Sequence, residues 1–595
     1  MNDGRDSVHI DAASGMRTFE GQRRYLNLPV RNGAAMRQMS VSIAGEIEYG
    51  FDIELADGEP DWWAFIDVQN FHGKTLTVAL DDAGPSAPLD GVHLSDRIVD
   101  EETLYRETRR PQLRFSSRRG WLNDANGMVF FDGEYHLFYQ HNPYGVAWGN
   151  MHWGHAVSSD LVHWEELPIA LYPDDSGPVY SGSVVVDWND TAGLQRGSDP
   201  SLIAIYTAFG DLPTQCIASS ADRGRTWQKF EGNPALPAMA SAPSSRDPKV
   251  FWYAPDNKWV MVLYLDQVHP DEDRQLVAFY LGQLDPATYT GLTMDDLRLR
   301  WRENSFGFFS SSNLKEWTKM SEIALPEDAE CPEFFELPIE DSSGDSRWIL
   351  FGASGRYLIG SFDGETFAAE SGPHFLHSGD SFSAAQTFNS VPSSDGRRIL
   401  IAYAPTTKRE EPVFAGMPFN QSMGLPVELT LHATDDGLRL HVNPVSELCG
   451  LRLRTQRVAA GALSGRTDPL SSLTGELWEI ETEIGVGTAR RLRFELRGIA
   501  VIYDTDREEL SCLGNSASLP LIDGRIRLRL FVDRAAIDIF GQDGHLYMPV
   551  AVDLSANPQS LSLRAEGGRS VIHLLDVHEL ASIWSKRKNV MLRRT

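Results

Sequence analysis

Five times beyond Leu104 the chain gives a turn rich in Asp, Gly or Asn followed by an aromatic, apolar strand: D-G-E-Y-H-L-F-Y from Asp132, D-P-S-L-I-A-I-Y from Asp199, D-N-K-W-V-M-V-L-Y from Asp256, D-S-R-W-I-L-F from Asp345 and D-G-R-R-I-L-I-A-Y from Asp395. The intervals are uneven but mostly fit one four-stranded blade each, so five copies predict five blades of a β-propeller. A second motif, a Ser/Asp-rich turn ending in an aromatic, recurs in the same phase: S-D-L-V-H-W from Ser159, A-D-R-G-R-T-W from Ala221, S-N-L-K-E-W from Ser312 and F-D-G-E-T-F from Phe362. It marks a turn into the outer strand. A β-sandwich with irregular hairpins would not produce two interleaved motifs in one phase.

At 595 residues the chain exceeds one ordinary core,. Ahead of the repeats, segments such as G-F-D-I-E-L from Gly50 and T-L-T-V-A-L from Thr75 alternate apolar and polar residues between turns. They predict a small β-domain behind a loose polar tail, with Trp62 and Trp63 as core residues rather than a sugar platform. Beyond about Leu438, the segments L-R-F-E-L from Leu492, I-R-L-R-L-F-V from Ile526 and A-I-D-I-F from Ala536 have the spacing of a β-sandwich, with no chemistry concentrated in it,. The expected architecture is all-β: a small N-terminal β-domain over 1–105, a five-bladed β-propeller over 106–436 and a C-terminal β-sandwich over 437–595.

Charge narrows the partners. A formal net charge of −29, spread along the chain, argues against nucleic acid, whose phosphates need a basic face,. The one basic run, Lys586-Arg587-Lys588 with Arg593-Arg594, reads as a solvated tail,. Four cysteines without a C-x-x-C pair indicate neither a zinc site nor a disulfide framework,. No apolar leader and no membrane-length apolar run is present, which predicts a soluble protein without a membrane partner, cytoplasmic as written; a chain trimmed of its leader would read the same, leaving a secreted or periplasmic location open,. No oligomeric state is assigned.

The first strand of each propeller blade lines the central axis. Those strands begin N-D-A-N-G-M-V-F at Asn123, S-G-S-V-V-V at Ser181, R-D-P-K-V-F-W at Arg246, E-C-P-E-F-F at Glu330 and S-A-A-Q-T-F at Ser383. Asp124, Asp247 and Glu330 are thereby expected around one pocket. Converging carboxylates suit either a hard-cation site or glycoside cleavage. Sugar is favoured: Arg246 beside Asp247 would weaken cation binding, and the segment from Tyr139 to His155 is dense in amides and indoles that bond to and stack on sugars,. His152 and His155 have a spacing that can chelate zinc but lack a recognised third ligand, so no metal and no cofactor is expected,. Ser181 and Ser183 have no G-x-S-x-G context and read as hydroxyl partners rather than nucleophiles,.

W-L-N-D-A-N-G at 121–127, R-D-P-K at 246–249 and E-C-P-E at 330–333 resemble the three signature motifs of glycoside hydrolase family 32, the β-fructofuranosidases. Supporting resemblances are F-Y-Q-H-N-P at 138–143, W-G-N-M-H-W-G-H at 148–155, Y-S-G-S at 180–183 and F-V-D-R at 531–534; the leading domain, with D-W-W-A-F at 61–65 and the joining L-Y-R-E at 104–107, is similar to that of bacterial levanase-like members. The resemblance implies that Asp124 attacks C2 of a terminal β-fructofuranosyl unit, that Glu330 serves as acid and then base, and that Asp247 holds the fructose hydroxyls. Asn123, Gln140, Trp148, Ser181 and Arg246 match positions lining the fructose pocket. It further implies retention of configuration and a fructan, fructo-oligosaccharide or sucrose substrate.

Two positions depart from that pattern. Ala125 stands where the family has Pro, which frees Asp124 from a backbone restriction,. In the fifth blade Ser381, not an acid, precedes Phe382, leaving Asp380 as a candidate pocket residue. Rival expectations are a fructosyltransferase using the same intermediate, a fructan-binding protein without turnover, and an arabinan-cleaving propeller that inverts configuration.

Overall fold

A computed structural model describes residues 9–11, 15–81, 89–239, 242, 244–265, 305–326, 328–340, 342, 344–406 and 414–585. The basic C-terminal run lies outside the described residues. Four of the blade sheets place their strands in chain order from the axis outward, beginning with Gly120–Phe131, Val179–Asp187, Arg246–Tyr253 and Glu333–Pro338. The fifth runs from Ser383–Thr387 through Arg398–Ala404 and Val427–Thr434 to Gly437–Pro444, so it extends past residue 436. Phe419–Asn420 pairs in parallel with Gly120 and Trp121, closing the ring between the last blade and the first.

Both repeats of the sequence fall on turns whose chemistry is local. The first joins the axial strand to the second strand, as in Glu134–Asn142 after Gly120–Phe131. The second joins the third strand to the outermost one, and three copies close the same way: the indoles of Trp164, Trp227 and Trp317 donate to the carbonyls of Leu161, Gly224 and Leu314 at 2.9, 3.0 and 3.1 Å. Those three carbonyl residues all have positive φ, 63°, 77° and 61°. The Asp or Asn before each cap accepts backbone N–H groups of the turn, as Asn313 Oδ1 does from Lys315 and Glu316 at 3.0 Å each,. The second strands, such as Ser201–Phe209, are buried along almost their whole length because blades pack against both faces,. That explains their unbroken apolar runs.

Ahead of the propeller, a five-stranded sheet and the three-stranded sheet of Trp62–Asp67, Tyr25–Val30 and His93–Ser95 enclose a separate apolar core that includes Trp62. Order begins earlier than the polar composition suggests: Met16–Glu20 pairs with Thr75–Leu80, burying Phe19. This unit docks on the first blade. Phe51 stacks on Tyr144 with ring centroids 3.7 Å apart, and Asn150 bonds through its side chain to both backbone groups of Asp52.

After the propeller, a seven-stranded and a five-stranded sheet face each other across an apolar core. The sandwich meets the chain entering the first blade through F-V-D-R. Asp533, fully buried, accepts from the backbone N–H groups of Gln112 and Leu113 and from Arg114 Nε at 2.8, 3.1 and 3.1 Å. Arg114 Nη2 also donates to Asp538 at 2.5 Å. Burial opposes the charge of Arg114, but Asp538 and Asp533 outweigh it and hold the guanidinium above its usual pKa,. All four cysteines are free thiols. Among the described residues no helix is long and apolar enough to cross a membrane.

Candidate active site

The axial strands do more than point their first residues inward. Four of them carry an extra residue relative to their neighbour at the same height: three positions span Leu122 to Ala125, Val179 to Gly182, Arg246 to Lys249 and Ser383 to Gln386 where the paired strand advances by two, and the first strand carries another between Asn126 and Val129. A bulge at this point turns the side chain above it out of the pleat and into the channel. Asp247 accordingly has φ 64°, and Glu330 and Cys331, just before the fourth axial strand, have 58° and 41°. Left-handed backbone at bulky residues is uncommon, so its concentration on these side chains marks them as positioned.

Asp124, Asp247 and Glu330 do meet. Asp124 accepts from Asn123 Nδ2 at 3.0 Å and from Ser181 Oγ at 2.9 Å, and Trp121 Nε1 in turn holds Asn123 Oδ1 at 3.0 Å. Cys331 Sγ lies 3.6 Å from Asp124 Oδ2 and 3.6 Å from Asp247 Oδ2, bridging the two acids. Arg246 donates to Ser244 O and Oγ at 2.7 and 2.8 Å and to Glu330 Oε1 at 2.5 Å, and its guanidinium sits 4.8 Å from the Tyr264 ring centre. The three acids lie at graded depths. Asp247 is 7% exposed at the floor, Asp124 is half-buried, and the Glu330 side chain is 49% exposed at the rim.

Burial and the charge of Glu330 raise the pKa of Asp124, against the pull of Ser181 and Asn123. Burial pushes Asp247 up to about 7, with Arg246 opposing and Glu330 and Asp124 adding to the rise,. Cys331 is driven well above the usual thiol range by burial and by the same acids, so it remains a thiol able to donate,. Below the ordinary 3.8 both folded and unfolded Asp247 hold a proton; between there and about 7 only the folded form does, so this group's contribution is lost as pH rises through that interval,. The full interval is worth about 4 kcal/mol, shared with the other acids. Asp247→Asn is expected to stabilise the fold at pH 8 by on the order of 2 kcal/mol, with the gain fading towards pH 4. Calorimetric melts of both proteins across that range check it, and a variant no more stable than its parent at pH 8 contradicts it.

The remaining sequence candidates divide. Ser181 touches Asp124, and Arg246 touches Glu330. Gln140 is 3% exposed with a buried Nε2 lacking a hydrogen-bond partner, and Trp148 stands 56% exposed, edge-on to Tyr180 at 5.9 Å. Asp380 ties the fifth blade to the sandwich, its Oδ1 accepting from Ala551 N at 3.0 Å. Ala125 is buried, and Asp124 is held by its two side-chain bonds and the bulge without a Pro beside it. His152 bonds to Asn150 O through Nδ1, while His155 stacks on Phe138 at 4.0 Å and bonds to His136 through Nε2, so each spends a nitrogen on its own surroundings.

Sequence reasoning missed the pairing that aligns two motifs. R-D-P-K and E-C-P-E are joined by two ion pairs with the same offset, Arg246 to Glu330 at 2.5 Å and Lys249 to Glu333 at 2.7 Å. The lower pair is almost wholly buried, and Thr387 caps Glu333 at 2.8 Å. It fixes the third blade against the fourth directly beneath the acids. The signal was present as the unexplained last letters of both motifs. Thr207, whose Oγ accepts from Asp247 N at 3.0 Å, gave no such signal.

A five-bladed propeller with three acids at one end of its axis, followed by a sandwich, defines a carbohydrate-cleaving hydrolase. The model for the glycosyl hydrolases family 32 N-terminal domain matches residues 114–282 and 298–444, and that for the family 32 C terminal matches 447–579. The chain belongs to glycosyl hydrolase family 32. It is 35% identical over 527 residues to a levanase of Bacillus subtilis, covering 81% of this chain and 72% of that one. To an extracellular exo-inulinase of Aspergillus ficuum it is 27% identical over 558 residues, covering 81% and 96%. The solved β-fructofuranosidase of Schwanniomyces occidentalis, complexed with fructosyl-erythritol, superposes with a TM-score of 0.67 at 25% identity, covering 81% of this chain and 100% of the other.

Proposed function

We propose that the protein is an exo-acting, retaining β-fructosidase that releases fructose from the ends of fructans, fructo-oligosaccharides or sucrose. The depth order of the acids carries this reading: a terminal sugar entering along the axis meets Glu330 at its linkage oxygen, Asp124 at its anomeric carbon and Asp247 at its ring hydroxyls. Asp124 attacks C2 as Glu330 protonates the departing oxygen; Glu330 then takes a proton from the water that breaks the fructosyl–Asp124 bond. Asp247 bonds to hydroxyls without exchanging a proton. Asn123 and Ser181 stabilise the Asp124 carboxylate through the hydrogen bonds they already make. Arg246 exchanges its bond to Glu330 for the sugar, Gln140 supplies its unpaired amide, and Trp148 offers a ring face at the rim.

We assign the chain three units: the small leading β-domain, the propeller and the sandwich, with the second boundary after Pro444 where the fifth blade's pairing stops. The leading unit bonds to Asn150, two residues from Trp148, and so bears on the outer part of the pocket and on preference among polymers.

Initial rates on levan, inulin and sucrose, measured side by side, rank the substrates. Nuclear magnetic resonance of the first-formed sugar is expected to show β-fructofuranose before mutarotation. An inverted product rejects the double displacement, and oligosaccharides in place of fructose at high substrate identify a transferase.

A further inference from the structure

The sandwich holds a second convergence of ligating atoms. Arg569–Leu580 runs between Arg452–Arg457 and Trp478–Gly485 in the seven-stranded sheet. Register sets Glu481 opposite Asp576, and Thr455 opposite His578. Residues two apart on a strand share a face, so Glu481, Asp576 and His578 lie together. One ligating atom from each falls within 4.8 Å of the others, the one such trio of His, Cys, Asp or Glu among the described residues.

Carboxylates directly opposite one another repel. Arginines offset part of that: Arg452 and Arg529 reach Glu481 Oε1 at 2.6 and 3.5 Å, and Arg457 Nε lies 3.4 Å from Asp576 Oδ2. What they leave is Glu481 Oε2 and the ring of His578. His578 is 3% exposed, its Nδ1 is 2.8 Å from Thr455 Oγ1, and its buried Nε2 has no hydrogen-bond partner. When Nδ1–H is the donor to Thr455, the Nε2 lone pair faces Glu481 Oε2 at 3.5 Å and the carboxylate of Asp576, an arrangement that is unfavourable unless a cation stands between them,.

We propose that Glu481, Asp576 and His578 bind a divalent transition-metal ion of the zinc type, which ties the sandwich sheet together. One imidazole with two carboxylates suits zinc better than calcium or magnesium, which prefer oxygen alone. Tetrahedral ligands at about 2.0–2.1 Å from zinc stand about 3.4 Å apart; His578 Nε2 and Glu481 Oε2 are 3.5 Å apart. Thr455 orients the ring from the neighbouring strand, so the ion also pins Arg452–Arg457.

Titrating zinc into chelator-treated full-length protein by calorimetry is expected to show one ion per chain and a raised thermal midpoint. His578→Asn, which keeps the bond to Thr455 and removes Nε2, should weaken binding by about 10–100-fold, as should Asp576→Asn, which leaves the buried ring intact should the first variant fold poorly. Hydrolysis of sucrose at saturating substrate should be unchanged in both. Absence of binding at millimolar zinc overturns the proposal, as does zinc retained by both variants. Loss of binding on His441→Asn alone also overturns it, assigning the ion to the stacked His432 and His441, whose rings are 4.0 Å apart.

Discussion

Asp124→Asn is expected to lower the rate of fructose release from levan, inulin and sucrose on the order of 10³-fold or more, with the fold intact. The amide keeps the shape and can still accept from Ser181 Oγ, which now lies 2.9 Å from Asp124 Oδ2, but it cannot form the covalent ester. Glu330→Gln should cost about 10²–10⁴-fold on the same substrates, the range of general acid catalysis. The two losses differ in kind. A fructoside with an activated leaving group needs no proton, so it should recover the first step in Glu330→Gln but not in Asp124→Asn. Fructose release near the parent rate by either variant on natural sugars would remove the assignment of these acids.

Asp533→Ala should destabilise the protein by about 3–5 kcal/mol, because it removes one of the two carboxylates that neutralise the buried Arg114 and leaves two backbone N–H groups without their acceptor,. Gln112 to Arg114 lead into the strand that carries Asp124, so activity should fail at lower denaturant, together with the loosening of the sandwich. Guanidinium titrations followed by tryptophan fluorescence and by residual hydrolysis measure both. An unchanged midpoint would mean that the interface rests on apolar contacts instead.

Much of this was legible because its causes are local. A turn needs Asp or Gly at fixed offsets, and an indole that caps its own turn leaves a Trp at a fixed distance from an Asp or Asn, as at Trp164 and Trp317. Axis-facing residues could be read for the same reason, since strand phase follows from the turns. Contacts between blades could not. Lys249 and Glu333, or Cys331 between two acids, depend on how neighbouring sheets are rotated about the axis. The bond of Asp380 to Ala551 could not be read either, because the two lie in different units. Glu481, Asp576 and His578 are remote in sequence, and only register unites them.

The extra residue in four axial strands has a consequence for how such a site can change. Below the bulges, each strand alternates in step with its blade, and any slip would exchange the side chains packed on its two faces,. Within the bulges the pairing is interrupted, so Asp124, Ser181 and Asp247 answer to the channel and not to the packing underneath. The mouth can therefore exchange side chains, and with them the sugars it admits, without renegotiating the blades. Misregister at the mouth of four strands lets selection on substrate run independently of selection on folding.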